Sequence, residues 1–130
     1  MNFIVDTHIL IWSFTNPEKL KPKFQKILLN NDHTIYYSQF SLWEISIKYG
    51  IGKLHIKGIN PEQLFNEVEN SFFVCKKNEN QELISFYKLP IEHKDPFDRA
   101  IIWQAIQNDF TLLSLDENLD LYKKHGLKFL

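Results

Sequence analysis

Phe3-Ile4-Val5-Asp6, followed by a helical stretch from Ile9 to Phe14, decides how the rest of the chain is read. Three apolar residues in a row make a short, buried-type strand, and it ends on a carboxylate. The same alternation continues outward. Thr34-Ile35-Tyr36-Tyr37 and Phe72-Phe73-Val74-Cys75 are the next strands, Thr111-Leu112-Leu113-Ser114-Leu115 is strand-like, and Leu127-Lys128-Phe129-Leu130 suits an edge strand. Helices fall between them, at Lys23–Leu29, at Phe40–Tyr49 before Gly50 and Gly52, at Glu62–Glu69 and at Glu79–Lys88. A further helix runs from Asp95-Pro96 to about Gln107, and a short one lies near Glu117 to Lys123. Asn60-Pro61 and Asp95-Pro96 are matching start signals, a capping side chain followed by proline at the first helical position. Strand alternating with helix predicts an α/β fold, a parallel sheet with helices on both faces. In such sheets the chemistry gathers just beyond the C-terminal ends of the strands.

Composition narrows the class. The chain has 130 residues, of which 44% are hydrophobic and 24% charged, enough for one domain with a real core spanning 1–130. No apolar run approaches the roughly 18–20 residues of a membrane span. The N-terminal residues read as structure rather than as a leader, and Cys75 is the only cysteine, which excludes an intrachain disulfide and a cysteine-rich zinc site. A cytoplasmic protein is the expectation. The formal net charge is −1, so a generally basic nucleic-acid coat is excluded, although lysines cluster at 19–26, 76–77 and 123–128 and Arg99 is the only arginine. Gathering several acids in one metal site would leave the remaining surface net positive, so a phosphodiester substrate stays open.

The rule about strand ends picks out particular acids. Asp6 follows the first strand directly and Asp116 follows the Thr111–Leu115 strand. On the Phe40–Tyr49 helix, Glu44 falls within the apolar stripe of Phe40, Trp43 and Ile47. On the later helix, Asp98 lies one turn before the stripe of Ile101, Ile102, Ala105 and Ile106. Each acid also has a plainer reading. Asp95 and Asp98 can be a cap and a first-turn acid, Asp116 can be a cap, and Glu44 with Lys48 can be a surface i,i+4 pair. Carboxylates that share an apolar face, however, cost several kcal/mol as lone buried charges, so they should share a cation or titrate. A hard ion such as Mg2+ suits an all-oxygen set and can activate water for an in-line phosphoryl displacement.

Val5-Asp6-Thr7-His8, Ser41-Leu42-Trp43-Glu44-Ile45, Gly52-Lys53-Leu54, Asp95-Pro96-Phe97-Asp98-Arg99 and Ser114-Leu115-Asp116 together resemble the PIN-domain ribonucleases, and among them the VapC-type toxins of bacterial toxin–antitoxin pairs. The motifs run from residue 5 to residue 116 in the family's order, with Ser114 where Thr is commoner. The resemblance implies a PIN-like central parallel sheet of four or five strands, and endoribonuclease activity dependent on Mg2+ or Mn2+. It makes Asp6, Glu44 and Asp98 the core catalytic and metal-binding acids, with Asp116 as a fourth. Asp95 is then mainly the cap that sets the helix carrying Asp98, and it can also stand behind the metal ligands. Lys48 and Arg99 flank the acids as candidate phosphate contacts. Expected partners are an RNA substrate, a cognate antitoxin that masks the cleft and a second copy of the chain. Trp12, Phe14, Trp43 and Trp103 could give a docking surface, though core packing is expected for at least two of them.

Two other readings keep this fold: a catalytically silent binding module, and a nuclease for single-stranded or flap DNA. A haloacid-dehalogenase-type phosphatase fails because His8 stands where a second Asp is needed, and a receiver domain fails because Phe72–Cys75 leads into Lys76-Lys77-Asn78. Gly50-Ile51-Gly52-Lys53 follows a helix and lacks the Ser/Thr of a phosphate loop. The five histidines have no zinc-protease spacing and read mostly as surface residues, although His8 and His93 lie near the acids in sequence.

Overall fold

A computed structural model describes residues 1–130. Five strands form one sheet in the order β3-β2-β1-β4-β5, every neighbouring pair parallel: β1 Asn2–Val5, β2 Thr34–Ser38, β3 Val74–Lys76, β4 Thr111–Leu113 and β5 Lys128–Phe129. Six α-helices connect them: α1 Thr7–Thr15, α2 Pro22–Leu29, α3 Gln39–Gly50, α4 Pro61–Glu69, α5 Asn80–Ser85 and α6 Pro96–Asn108. No helix is long and apolar enough to cross a membrane.

The pleat explains why β1 is apolar from Phe3 to Val5. Phe3 and Val5 enter one core with Ile9, Leu10, Phe24, Ile35, Leu64 and Leu113, whereas Ile4 enters a second core with Ile101, Ile102, Leu112, Leu119 and Tyr122. Both faces of the strand are covered, as its sequence predicts. Each such Ile or Leu contributes roughly 1.5–3 kcal/mol on burial, so the central strands hold the two helical layers to one sheet.

Several element ends differ from the sequence reading, and each has a local cause. β3 begins at Val74, not Phe72, because the Ser71 hydroxyl accepts the Phe73 N–H at 3.2 Å and keeps that residue in a turn, with its ring in the first core. β4 stops at Leu113 because Ser114 turns the chain: its oxygen accepts the Asp116 N–H at 3.0 Å. The helix expected at Glu79–Lys88 is α5 followed by a 3-10 turn at Phe86–Lys88. The short helix near Glu117 is a 3-10 segment at Leu119–His125, delayed by an Asx turn in which Asp116 accepts the Asn118 N–H at 2.8 Å.

The strand order matters most for function. The chain moves from β1 outward to β2 and β3, then returns past β1 to β4, so the direction of winding changes between β1 and β4. A crevice opens at such a point beyond the C-terminal strand ends. Asp6 and Ser114 are the first residues past those two strands.

Candidate metal centre

Asp6 is buried, 7% exposed, and caps α1. Its Oδ1 accepts the Ile9 N–H at 2.8 Å, while Oδ2 accepts the Ser114 hydroxyl at 2.7 Å and the Leu115 N–H at 3.1 Å. Burial pushes its pKa above the usual carboxylate value, and these three donors pull against that rise. The plain capping role and the site role therefore belong to the same side chain.

Glu44 is only 1% exposed, so it is not part of a surface pair. The Thr7 hydroxyl donates to its Oε1 at 2.6 Å, which leaves the Ser41 hydroxyl as donor to Thr7 at 2.9 Å. The Lys48 ammonium donates to its Oε2 and lies 3.6 Å from Oδ2 of Asp95. Burial works to lower the Lys48 pKa, but the hydrogen bond and charge of Glu44, with Asp95 and Asp98 behind it, outweigh burial and raise it.

Asp95 caps α6 as its sequence predicts, with Oδ1 accepting the N–H groups of Phe97 at 2.8 Å and Asp98 at 3.3 Å. That cap fixes the first turn, and with it Asp98. Asp98 is half-buried, and no hydrogen bond reaches its carboxylate; Nε2 of His93 lies 3.6 Å away. Burial, then the negative charges of Asp95, Glu44 and Asp6, outweigh the His93 contribution and push its pKa up to about 6. Asp6, Asp98, Ser114 and Asp116 line one small cavity floored by Ile101, Ile102, Leu112 and Leu119.

Sequence reasoning placed His93 near the acids but left it without a role. Its Nδ1 accepts the Asp95 N–H at 3.1 Å, so in the neutral ring the proton sits on Nε2, which donates to Asp116 and faces Asp98. Ligand atoms of His93, Asp98 and Asp116 lie within 4.8 Å of one another. The available signal was its place two residues before the cap. Thr7 and Ser41 were missed as well, although Ser41 sits one turn before Glu44 on α3.

Of the groups expected here, Asp98 and Asp116, with His93, put ligand atoms within 4.8 Å of one another, Asp6 and Ser114 line the same cavity, and Glu44 and Asp95 are joined through Lys48. Arg99 is turned elsewhere, with its guanidinium over the Phe86 ring at 5.4 Å. Lys48 is engaged by the acids rather than projecting from them. Of the aromatics, Trp103 is buried and donates its indole N–H to the Glu82 carbonyl, Trp12 and Phe14 pack half-buried on the first core, and Trp43 is 60% exposed.

The donors fit a hard divalent cation. Carboxylate oxygens dominate, the one imidazole presents an N–H rather than a lone pair, and Asp98 lacks any other counter-charge at bonding distance.

None of the curated proteins matches the chain in sequence. Solved structures do match its fold. A chain of VapBC2 from Rickettsia felis, bound to a promoter DNA fragment, superposes with a TM-score of 0.68 at 21% identity, covering 100% of this chain and 98% of that one. Chains of VapBC-1 from nontypeable Haemophilus influenzae and of DNA-bound VapBC from Salmonella typhimurium give TM-scores of 0.64 and 0.67, each at 20% identity, covering 100% of this chain and 97% of theirs. The PIN domain family model matches residues 3–125. With that match over nearly its whole length, and with the parallel sheet that carries it, the chain belongs to the PIN domain family.

Proposed function

We propose that the protein is a divalent-metal-dependent endoribonuclease, the toxin of a toxin–antitoxin pair, which hydrolyses RNA phosphodiesters with water as nucleophile. The observation that carries this reading is Asp98, a half-buried carboxylate with no hydrogen-bond donor, on the wall of a cavity it shares with Asp6 and Asp116. In this reading Asp6, Asp98 and Asp116 hold Mg2+ or Mn2+, and Glu44 completes the acidic set. When bound, the ion would lower the pKa of a coordinated water and polarise a phosphoryl oxygen.

The chain's own groups prepare that chemistry. Ser114 and the Leu115 N–H aim Asp6 and favour its ionised form. Asp95 fixes the turn that carries Asp98, and His93 holds Asp116 beside it. Thr7, backed by Ser41, orients Glu44. RNA as substrate, an antitoxin covering the cleft and a homodimer follow from the VapC resemblance. The VapBC assemblies of like fold support the antitoxin.

The test is one assay. Purified protein, freed of any partner, is incubated with a mixed structured RNA pool in Mg2+ or EDTA, beside Asp98→Asn. Cleavage by the wild type in Mg2+ alone is expected. Equal cleavage by the variant would expose a contaminant, and no cleavage under any condition would favour a binding module.

A further inference from the structure

Glu44 and Lys48 stand four residues apart on α3, with the acid N-terminal, the favourable order for a helix pair. On an open helix face such a pair fixes nothing. Here the acid is buried and the ammonium reaches a second helix: it donates to Oε2 of Glu44 and lies 3.6 Å from Oδ2 of Asp95, at the start of α6.

The occupancy of each carboxylate is uneven as a result. Both Glu44 oxygens have donors from the chain, Thr7 on one and Lys48 on the other. Asp95 divides itself between the α6 backbone and Lys48. Asp98, in the first turn of α6 after Asp95, has no donor. Glu44 and Asp95 thus already hold a fixed positive charge between them, whereas Asp98 lines the cavity it shares with Asp6 and Asp116 without a donor of its own.

Two-metal phosphodiesterases place their ions about 3.5–4 Å apart, so that both share the carboxylates and the phosphate. A divalent ion between Glu44 and Asp95 would have to displace the ammonium and then repel it at short range. From this geometry we propose that Lys48 is the site's built-in second cation: held between Glu44 and Asp95, it supplies the charge that a second metal ion would otherwise bring, so that each chain takes up a single divalent ion at the Asp6–Asp98–Asp116 cavity. The inference rests on reading the acid cluster as a metal site.

The experiment counts ions and does not depend on activity. EDTA-stripped protein is titrated with Mn2+ alone, with bound ion measured by equilibrium dialysis and free Mn2+ by electron paramagnetic resonance. The variants are Lys48→Met, Lys48→Gln and the charge-keeping Lys48→Arg, each checked by circular dichroism, with Asp98→Asn as control. One Mn2+ per chain is expected for the wild type and Lys48→Arg, two for the neutral variants, and binding weakened by about tenfold or more for Asp98→Asn. Two ions in the wild type, or one ion still in both neutral variants, overturn the role of Lys48 and leave the metal site standing. A wild type that binds no Mn2+ at millimolar concentration removes the metal site, and the role of Lys48 with it.

Discussion

The hydroxyl of Ser114, one residue past β4, donates a 2.7 Å hydrogen bond to Oδ2 of Asp6, one residue past β1, across 108 positions of sequence. The bond latches the two strands on either side of the point where the winding of the sheet reverses. The same oxygen of Ser114 accepts the Asp116 N–H at 3.0 Å, so one small side chain sets two acids. A strand end, a turn and a site are here one piece of hydrogen bonding.

Ser114→Ala tests that latch. It leaves Oδ2 of Asp6 with a single donor and releases the turn at Asp116. Hydrogen bonds to charged groups contribute roughly 1.5–3 kcal/mol, so a loss of that order is expected in urea unfolding. With one of the groups that lower its pKa removed, Asp6 is less readily ionised, and RNA cleavage should fall with stability. Ser114→Thr keeps the hydroxyl and should retain both properties. An alanine variant as stable and as active as the wild type would show that the latch is idle.

His93 is fixed by the backbone, not by its own helix or strand. The Asp95 N–H on Nδ1 directs the ring proton to Nε2 and so toward Asp116. His93→Ala should free the Asp116 carboxylate and weaken Mn2+ binding by about 10–100-fold, the usual cost of losing a partner that orients a ligand. His93→Gln, whose amide can donate from a similar position, should recover part of the affinity. Dialysis against Mn2+ measures both. Equal affinity in all three proteins would reduce the ring to packing.

The fold was legible because its signals are local and periodic. Phe3-Ile4-Val5 announces a strand buried on both faces, and Asn60-Pro61 and Asp95-Pro96 announce helix starts, each within a few residues. The acids were legible for a related reason, since strand ends and apolar stripes can be counted. Their partners were not. Whether Lys48 meets Asp95 depends on how α3 packs against α6, and whether His93 meets Asp116 depends on α6 and β4 bringing the chain back over 23 positions. Strand ends slipped at Phe72 and Ser114 for the same kind of cause, a serine side chain that captured a backbone N–H and replaced a rung of the sheet.

A second cluster of charge lies away from the acids and gives a control for stability alone. Lys76 and Glu82 are both buried and joined at 3.0 Å, and Glu82 also accepts the Glu79 N–H at 3.1 Å and the Asn108 amide at 2.5 Å. Lys76→Met strands the carboxylate in a low-dielectric setting, and a destabilisation of about 3–5 kcal/mol is expected from denaturant titration. Under native conditions the Mn2+ affinity of the folded fraction should not change. A parallel loss of metal affinity would mean that the two charge clusters are coupled through α6.

Asp98 sets the pH dependence of the metal-free protein. Its carboxyl titrates at about 6 in the folded state against 3.8 for the free side chain. Between those values the native state binds more protons than the unfolded chain, so stability falls as pH rises through this window and stays low above it. Asp6 is shifted in the same direction and adds to the trend. Asp98→Asn removes the ionising group but keeps the shape, so in EDTA at pH 7.5 the variant should be the more stable protein. Solvent screening of a partly exposed carboxylate holds the gain to about 1 kcal/mol, or a few degrees in Tm. At pH about 4.5, where the wild-type group is protonated, the difference should shrink, and Mg2+ should raise the wild-type Tm more than that of the variant. Thermal unfolding across pH, with and without Mg2+, reads all three. A variant less stable than the wild type at pH 7.5 in EDTA would mean that Asp98 is already neutralised by a group of the chain, and the case for a cation there would fall.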